Sequence, residues 1–221
     1  MIPLRSSEPH YTPSRVTLLI IVANVLVFFY ELSLGSGYQL NRFIAHYGIV
    51  PDRLYPASIL TSMFIHGGFL HILGNMWFLW IFGRGVEDIL GHAKFLFFYL
   101  ACGVAAAIAH ILLNSNSTVP TVGASGAIAG VMGAYLIKFP RARIVTLVPI
   151  IIFLTTVDIP AAFLLLYWFA IQFFNGVGSV GYSQASSGDV AWFAHVGGFL
   201  AGILLITIMP AARQQYRYSR Y

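Results

Sequence analysis

Long apolar segments with few charged residues inside them dominate this sequence. Only 9% of its 221 residues are Asp, Glu, Lys or Arg, and 58% are hydrophobic, whereas a soluble domain carries about 25% charged residues. So few charges cannot cover a surface that faces water. We therefore expect lipid to surround much of the chain, and the sequence predicts an all-α polytopic membrane protein.

Six segments are candidates for transmembrane helices, since about 20 apolar residues cross a hydrocarbon core of about 30 Å. They cover residues 16–34, 69–82, 93–113, 125–139, 159–177 and 190–209. The stretch 144–157 is apolar, rich in β-branched residues and interrupted by Pro149. We interpret it as interfacial or re-entrant, with a seventh span as the alternative. Asp158 and Pro160 then resemble a helix start.

The positive charges predict the orientation of these helices. With the N-terminus in the cytoplasm, ten of the twelve Lys and Arg residues lie inside and only Arg42 and Arg53 lie outside, as the positive-inside rule expects. Both termini are then cytoplasmic: residues 1–14 form an N-terminal segment, 15–210 the six-helix membrane domain and 211–221 a basic tail. Because the charges cluster at the ends of apolar segments, they do not indicate nucleic-acid binding.

Three polar side chains lie at one predicted depth in the membrane. We assign the inner ends of the second, fourth and sixth helices to Arg84, Lys138 and Pro210. His71, Ser125 and His195 then lie roughly 20 Å above that boundary, because a helix rises about 1.5 Å per residue. Asn75, one turn below His71 on the same face, reaches the same level. Ionisable groups inside a membrane are costly and mark functional sites, so we expect these side chains to meet.

Small residues indicate that the fourth and sixth helices approach closely. The fourth helix carries Gly126 and Gly130, and the sixth carries Ala194, Gly198 and Gly202. Small residues four apart let two helix backbones come together. This approach would bring the serine hydroxyl of the fourth helix to the imidazole of the sixth.

The start of the fourth helix is suited to binding an oxyanion. Ser125 begins this helix just after Gly123, and backbone N–H groups at a helix N-terminus are unpaired and carry positive partial charge. The side chains of His71 and Asn75 could add donors to the same site.

Ser125 and His195 have the chemistry of a nucleophile and its general base, which is the basis of acyl transfer. The nearest acidic residues, Asp158 and Asp189, fall near opposite membrane surfaces in the predicted topology. We therefore predict a Ser–His dyad without a third, acidic member.

The motifs that contain these residues resemble those of the rhomboid family of intramembrane serine proteases. The letters GASG at residues 123–126 are similar to the G-x-S-G motif around the family's nucleophile. The letters AHVGG at residues 194–198, followed by Gly202, are similar to its A-H-x-x-G motif. His66, His71 and Asn75 have the spacing of its H-x-x-x-x-H-x-x-x-N motif. The three motifs occur in order, and the resemblance covers residues 15–210.

This resemblance implies a rhomboid-like helix bundle that cleaves transmembrane protein substrates near the outer leaflet through an acyl-enzyme. Ser125 and His195 would be catalytic, and His71 and Asn75 would form the oxyanion hole with Ser125. His66 would be structural. The glycines expected to pack near the site are Gly123, Gly126, Gly198 and Gly202. We expect no cofactor and no metal, and a site that opens to the outer side of a prokaryotic inner membrane.

Three features of the chain lie outside these motifs. Many family members carry a Trp-Arg pair before the histidines of the second helix, where this chain has Ala57 and Ser58. Ala129, one turn after the serine, leaves open which side chain packs against the His195 ring. The resemblance also implies that a substrate enters laterally between the second and fifth helices. Five aromatic residues could line that entrance, with a lipid-facing or a core position as an at least equal alternative for each: Trp77, Phe78, Trp168, Phe169 and Phe173.

Two other functions compete with proteolysis. One is a haem or metal membrane protein, because imidazoles on facing helices can be ligands; its candidates are His66, His71, His110 and His195. Against it, the first two are five residues apart and point to different faces of a helix. The other is a proteolytically inactive protein that binds membrane clients, against which the intact Ser125 and His195 argue. The sequence leaves the oligomeric state open.

Overall fold

The computed structural model describes residues 2–150, 153–179 and 191–212. In chain order its helices are α1 (Arg15–Ser33), α2 (Tyr38–Tyr47), α3 (Ser58–Thr61), α4 (Phe69–Phe78), α5 (Arg84–Leu90), α6 (His92–Leu113), α7 (Ser125–Lys138), α8 (Ala161–Ser179) and α9 (Trp192–Ile208). Its strands are β1 (Ile2–Ser6), β2 (Arg143–Ile150) and β3 (Phe153–Pro160), and short 3-10 turns cover Pro51–Arg53 and Ser62–Phe64. Asp189 and the arginines of the basic tail lie outside the described residues.

Each of the six predicted transmembrane segments contains a helix, although residues 159–160 of the fifth lie in β3 and residue 190 of the sixth lies outside the described residues. By length and composition α1, α6 and α8 could each cross a membrane, and the bent pair Ser58–Phe64 and Phe69–Leu90 could form a fourth span. The helices α7 and α9 are apolar but shorter. The described chain is therefore mostly helical, as its composition predicts.

The second predicted helix is longer than the sequence indicates, and Arg84 does not end it. Helix α4 continues through a π-helical turn at Leu79–Gly83 into α5. Helix α5 ends at Leu90 and is followed by Gly91, whose φ is 75°. The prediction treated a charged residue as a membrane boundary. Instead, Glu87 and Asp88 in the continuation are buried, and buried charges require polar partners inside the protein.

Those partners include backbone N–H groups of the N-terminal segment and of α1, and the ring of His92, whose Nδ1 lies 2.6 Å from Oε1 of Glu87. The Glu87 carboxylate accepts hydrogen bonds of 2.8 Å from the N–H groups of Val16 and Thr17, which have no partner within their own helix. Asp88 accepts bonds of 3.1 and 2.9 Å from the backbone of residues 11–12. Helix α5 therefore caps α1 and holds the N-terminal segment against the bundle.

The all-α prediction is wrong for residues 144–150 and 153–157, which form strands, and so is the alternative of a seventh helical span. The interfacial or re-entrant interpretation concerns the position in the membrane and stays a prediction. Strands β2 and β3 form an antiparallel hairpin, and β1 pairs with the other edge of β2 in the order β1-β2-β3. Asp158 and Pro160 lie at the end of β3, opposite Val145 and Arg143, and α8 begins directly after them at Ala161. The β-branched residues of this stretch favour strands. The third strand of the sheet, β1, comes from the N-terminal end of the chain.

Helix α7 lies at the centre of the bundle, with Gly126–Tyr135 buried. Its contact with α9 is the most extensive one between any two described elements. A Cβ added to Gly198 would overlap the carbonyl oxygen of Gly126, and one added to Gly202 would overlap that of Gly130. The predicted close approach of these two helices is therefore confirmed.

The glycines of α7 also allow α6 to approach. A Cβ on Gly126 would lie 2.5 Å from Cβ of Ala106, and one on Gly130 would lie 2.5 Å from Cβ of Cys102. Helix α7 is thus held between two helices, and the position of its first residue depends on both.

Candidate active site

The backbone before α7 makes a turn that requires glycine. Gly123 has a φ of 125°, where a side chain would be strained. A Cβ there would also lie 2.7 Å from Nε2 of His71. The N–H of Gly123 donates to the carbonyl oxygen of Ser62 at 2.9 Å. Helix α7 then begins without a side-chain cap, so the N–H groups of its first turn have no partner within the helix.

Ser125 and His195 meet at the N-terminal ends of α7 and α9. Oγ of Ser125 lies 2.7 Å from Nε2 of His195, a hydrogen-bond distance, and His195 is only 7% exposed. The glycine contacts one and two turns further along keep the two helices close enough for this bond. A hydroxyl in this position can transfer its proton to the ring as it attacks a carbonyl carbon.

The rest of the His195 ring contacts α8, a helix that was not predicted to contribute to the site. Nδ1 of His195 lies 2.7 Å from Oε1 of Gln172. The ring centre of Trp168, one turn earlier, lies 5.6 Å from that of His195. Trp168 is therefore the aromatic side chain that packs against the His195 ring. The one signal for Gln172 in the sequence is an amide in the middle of an apolar helix.

His71 and Asn75 lie on α4 beside the turn that precedes Ser125. The His71 ring lies against Gly123, and Nδ2 of Asn75 lies 3.7 Å from where a Cβ on Gly123 would be. Asn75 is 7% exposed, and its Nδ2 has no hydrogen-bond partner among the described residues. A buried donor without a partner is costly, and this one is available to a ligand near Ser125.

His66 lies behind His71, in the break between α3 and α4. The two ring centres are 5.1 Å apart in an edge-on arrangement. The backbone N–H of His66 donates to Oε1 of Glu31 at 3.1 Å, and Glu31 is itself buried in α1. These contacts hold the chain where α4 begins and thereby support the position of His71.

A cavity of about 490 Å³ lies beside Ser125 and His195. Its volume is within the range of about 300–1,000 Å³ that is usual for ligand sites. His71 and His110 share its wall with apolar residues of α6 and of the loop before α7. Nε2 of His110 lies 2.9 Å from Oγ1 of Thr121. The cavity can hold a short stretch of peptide backbone together with water.

The described histidines do not form a metal site. Within residues 2–150, 153–179 and 191–212, no three His, Cys, Asp or Glu side chains group as ligands. His110 and His195 are instead hydrogen-bonded to Thr121 and Ser125. This geometry does not support the haem or metal alternative.

Some aromatic residues that the sequence associates with lateral access make contacts inside the protein. The Phe169 ring stacks on Phe199 of α9 at 4.7 Å, and Nε1 of Trp77 donates to the carbonyl oxygen of Pro3 at 2.6 Å. Phe169 is therefore packed against α9, whereas Trp77 is 41% exposed despite its hydrogen bond. Phe173 is exposed.

A comparison with protein families identifies the chain. The family model of the rhomboid domain matches residues 54–212, which include all of the site residues described above. The chain belongs to the rhomboid family. Membership of this family makes the chain a membrane protein.

Three rhomboid relatives show the extent of the similarity. Rhomboid protease GluP of Bacillus subtilis is 34% identical over 124 residues, 54% of this chain and 24% of its own length. Rhomboid protein 1, mitochondrial, of Saccharomyces cerevisiae is 31% identical over 220 residues, 94% of this chain and 57% of its own length. The human presenilin-associated rhomboid-like protein, mitochondrial, is 32% identical over 134 residues, 59% of this chain and 34% of its own length.

This chain therefore spans about a quarter to just over half the length of these rhomboid relatives. One of them is bacterial and two are mitochondrial by name. Membership of the family assigns the chain to a membrane, but it gives no support to the prokaryotic inner membrane that the sequence analysis expects.

Proposed function

We propose that this chain is an intramembrane serine endopeptidase in which Ser125 is the nucleophile and His195 the general base. The observation that carries this proposal is the 2.7 Å hydrogen bond between Ser125 Oγ and His195 Nε2. It occurs at the wall of a cavity, in a chain of the rhomboid family. A serine and an imidazole that met only for helix packing would not require that space.

The reaction begins when Nε2 of His195 accepts the proton of Ser125 Oγ, which attacks the carbonyl carbon of a substrate peptide bond. The tetrahedral intermediate collapses, and the leaving amine receives the proton from His195. The acyl group then remains on Ser125 until His195 activates a water molecule for hydrolysis. The cavity supplies the space for this water.

The negative charge that develops on the substrate oxygen would be stabilised from two directions. The backbone N–H of Ser125 lies at the positive end of α7, and His71 and Asn75 approach from α4. The Nδ2 of Asn75, which lacks a partner among the described residues, would gain a hydrogen bond when the oxyanion forms. Donors aimed at a developing charge are usually the largest single contribution to catalysis.

The substrate would be a transmembrane helix of another protein. A helix protects its carbonyl groups with its own backbone hydrogen bonds, so the segment to be cut must first unwind. Glycine or proline near the outer end of a substrate helix would lower the cost of unwinding by about 1 and 3 kcal/mol per residue relative to alanine. We therefore expect cleavage to be faster in substrates that carry such residues near the cut.

The proposed topology has six crossings, formed by α1, α4 with α5, α6, α7, α8 and α9, with both termini in the cytoplasm. The distribution of positive charges supports it. Helix α7 has 14 residues and so covers only about 21 Å of a hydrocarbon core of about 30 Å. Ser125 would then lie below the outer surface, in a membrane domain of residues 15–210 with residues 1–14 on its inner side.

Cysteine labelling tests this topology, because Cys102 is the single cysteine of the chain. In a Cys102→Ala background, we expect Arg42→Cys to react with a membrane-impermeant maleimide from outside. Glu8→Cys should react only after the membrane is permeabilised. Labelling of both positions from the same side would contradict the proposed orientation.

A fluorophosphonate probe tests whether Ser125 is an activated nucleophile. We expect stoichiometric labelling of the wild-type protein at Ser125, no labelling of Ser125→Ala, and strongly reduced labelling of His195→Asn, which lacks the base. A wild-type protein that stays unlabelled while remaining folded would instead favour the inactive, client-binding alternative.

A further inference from the structure

Gln172 contacts the ring nitrogen of His195 that faces away from Ser125. Its Oε1 lies 2.7 Å from Nδ1 of His195, and the side chain is 6% exposed near the middle of α8. A polar side chain inside a membrane protein is costly unless its atoms are hydrogen-bonded. The bond to His195 accounts for a glutamine at this place in an otherwise apolar helix.

This bond determines which nitrogen of His195 carries the proton. A carbonyl oxygen can only accept a hydrogen bond, so the contact requires a proton on Nδ1. Nε2 then has a free lone pair, and it points at the hydroxyl of Ser125. In the opposite tautomer an N–H would face the hydroxyl, and His195 could not accept the serine proton.

We propose that Gln172 is a positioning residue that selects the Nδ1–H tautomer of His195 and holds its ring toward Ser125. This role rests on the proposed function of the Ser125–His195 pair. It adds a third residue on a third helix, at a position where serine proteases with a triad have a carboxylate. Gln172 itself does not act on the substrate.

Helix α8 fixes the orientation of the ring with two contacts. Trp168 and Gln172 are four residues apart and so lie on one face of α8. The first packs against the imidazole and the second bonds its nitrogen. The same face continues to Gly176, where a Cβ would lie 3.2 Å from the Phe193 ring of α9. A rotation of the imidazole would break the hydrogen bond and the packing together.

An amide and a carboxylate at this position have different effects on the reaction. When His195 accepts the serine proton, its ring becomes positive, and the Gln172 oxygen stabilises it only through a dipole. A carboxylate in the same place would stabilise the positive ring with a full charge. The base would then stay protonated, and the enzyme inactive, up to a higher pH.

The variants Gln172→Met and Gln172→Glu test the proposed role by the kinetics of cleavage of a reporter transmembrane helix. Gln172→Met keeps the length of the side chain but removes the acceptor. We expect its kcat to fall by about 10- to 100-fold, because a buried N–H of His195 loses its partner, with KM unchanged. Gln172→Glu keeps the acceptor. We expect it to recover kcat at alkaline pH, with the acidic limb of the kcat profile moved upward by about one pH unit or more.

Leu165→Met is the matched control, because Leu165 is buried on the same face of α8, seven residues before Gln172. It should leave kcat and the pH profile unchanged. The other titratable side chains on the cavity wall, His71 and His110, are the same in all variants. Wild-type kcat in Gln172→Met, or an acidic limb that Gln172→Glu leaves in place, would overturn the role of Gln172. Such a result would leave the Ser125–His195 proposal intact, which only the Ser125 and His195 variants test.

Discussion

Replacing Ser125 by alanine is expected to abolish cleavage of a reporter transmembrane helix, with a loss of about four orders of magnitude or more in kcat. The reason is that His195 has no hydroxyl left to activate, and no acyl-enzyme can form. The measurement is the appearance of the cut fragment after reconstitution of the purified variant with its substrate in lipid vesicles. Cleavage at the wild-type rate would show that the serine is not the nucleophile.

The chain offers a matched control for this substitution. Ser62 is also buried in the wall of the cavity, but its contact with the site is made by its backbone carbonyl oxygen, which accepts the N–H of Gly123. Ser62→Ala keeps that carbonyl, so we expect it to retain most of the activity. The double variant Ser125→Ala, His195→Asn should be no slower than Ser125→Ala alone, because groups that act as one unit are not additive.

The second large effect is expected from Gly202→Ala. The added methyl group would overlap the backbone carbonyl oxygen of Gly130, which cannot move without shifting α7. Overpacking of this kind costs about 1–3 kcal/mol and occasionally more, and we expect the upper end because backbone meets backbone. Separation of α7 from α9 would also pull Ser125 away from His195, so activity should fall together with thermal stability.

Gly74→Ala is the control for this effect. Gly74 also lies within a helix, α4, but a Cβ added there meets no atom within 4 Å. Alanine should therefore be neutral, or stabilising by about 0.5–1 kcal/mol through its helix propensity. Thermal unfolding in detergent and fluorophosphonate labelling of Ser125 measure both effects. Equal stability of the two variants would contradict the role of the glycine contact.

Local features of the sequence were sufficient to predict the apolar helices and the contact between two of them. Long apolar runs have few alternatives to a helix in lipid, so the six helical segments could be located. Polar side chains inside those apolar segments indicated the site, and the structure brings Ser125 to His195 and His71 to Gly123. Glycines at four-residue spacing indicated the contact of α7 with α9, because only small side chains let two helix backbones approach.

The three-stranded sheet of β1, β2 and β3 depends on a pairing between distant parts of the chain. Strand β1 pairs with β2 across most of the sequence, and no local pattern reveals a partner that far away. For the same reason Arg84 was mistaken for a helix end. The carboxylates that follow it, Glu87 and Asp88, are bonded by the backbone of α1 and of the N-terminal segment, about seventy residues earlier. Such long-range partners appear only when the chain has folded.

The sequence by itself determined where the apolar helices lie and which of their side chains, Ser125, His195, His71 and Asn75, are candidates for the site. Only the tertiary structure decided how each helix is rotated about its axis, and therefore that Gln172 and Trp168 of α8 face His195. The physical reason is the solvent. In lipid both the outer and the inner face of a helix are apolar, so hydrophobicity carries little information about rotation, and packing against neighbouring helices decides it.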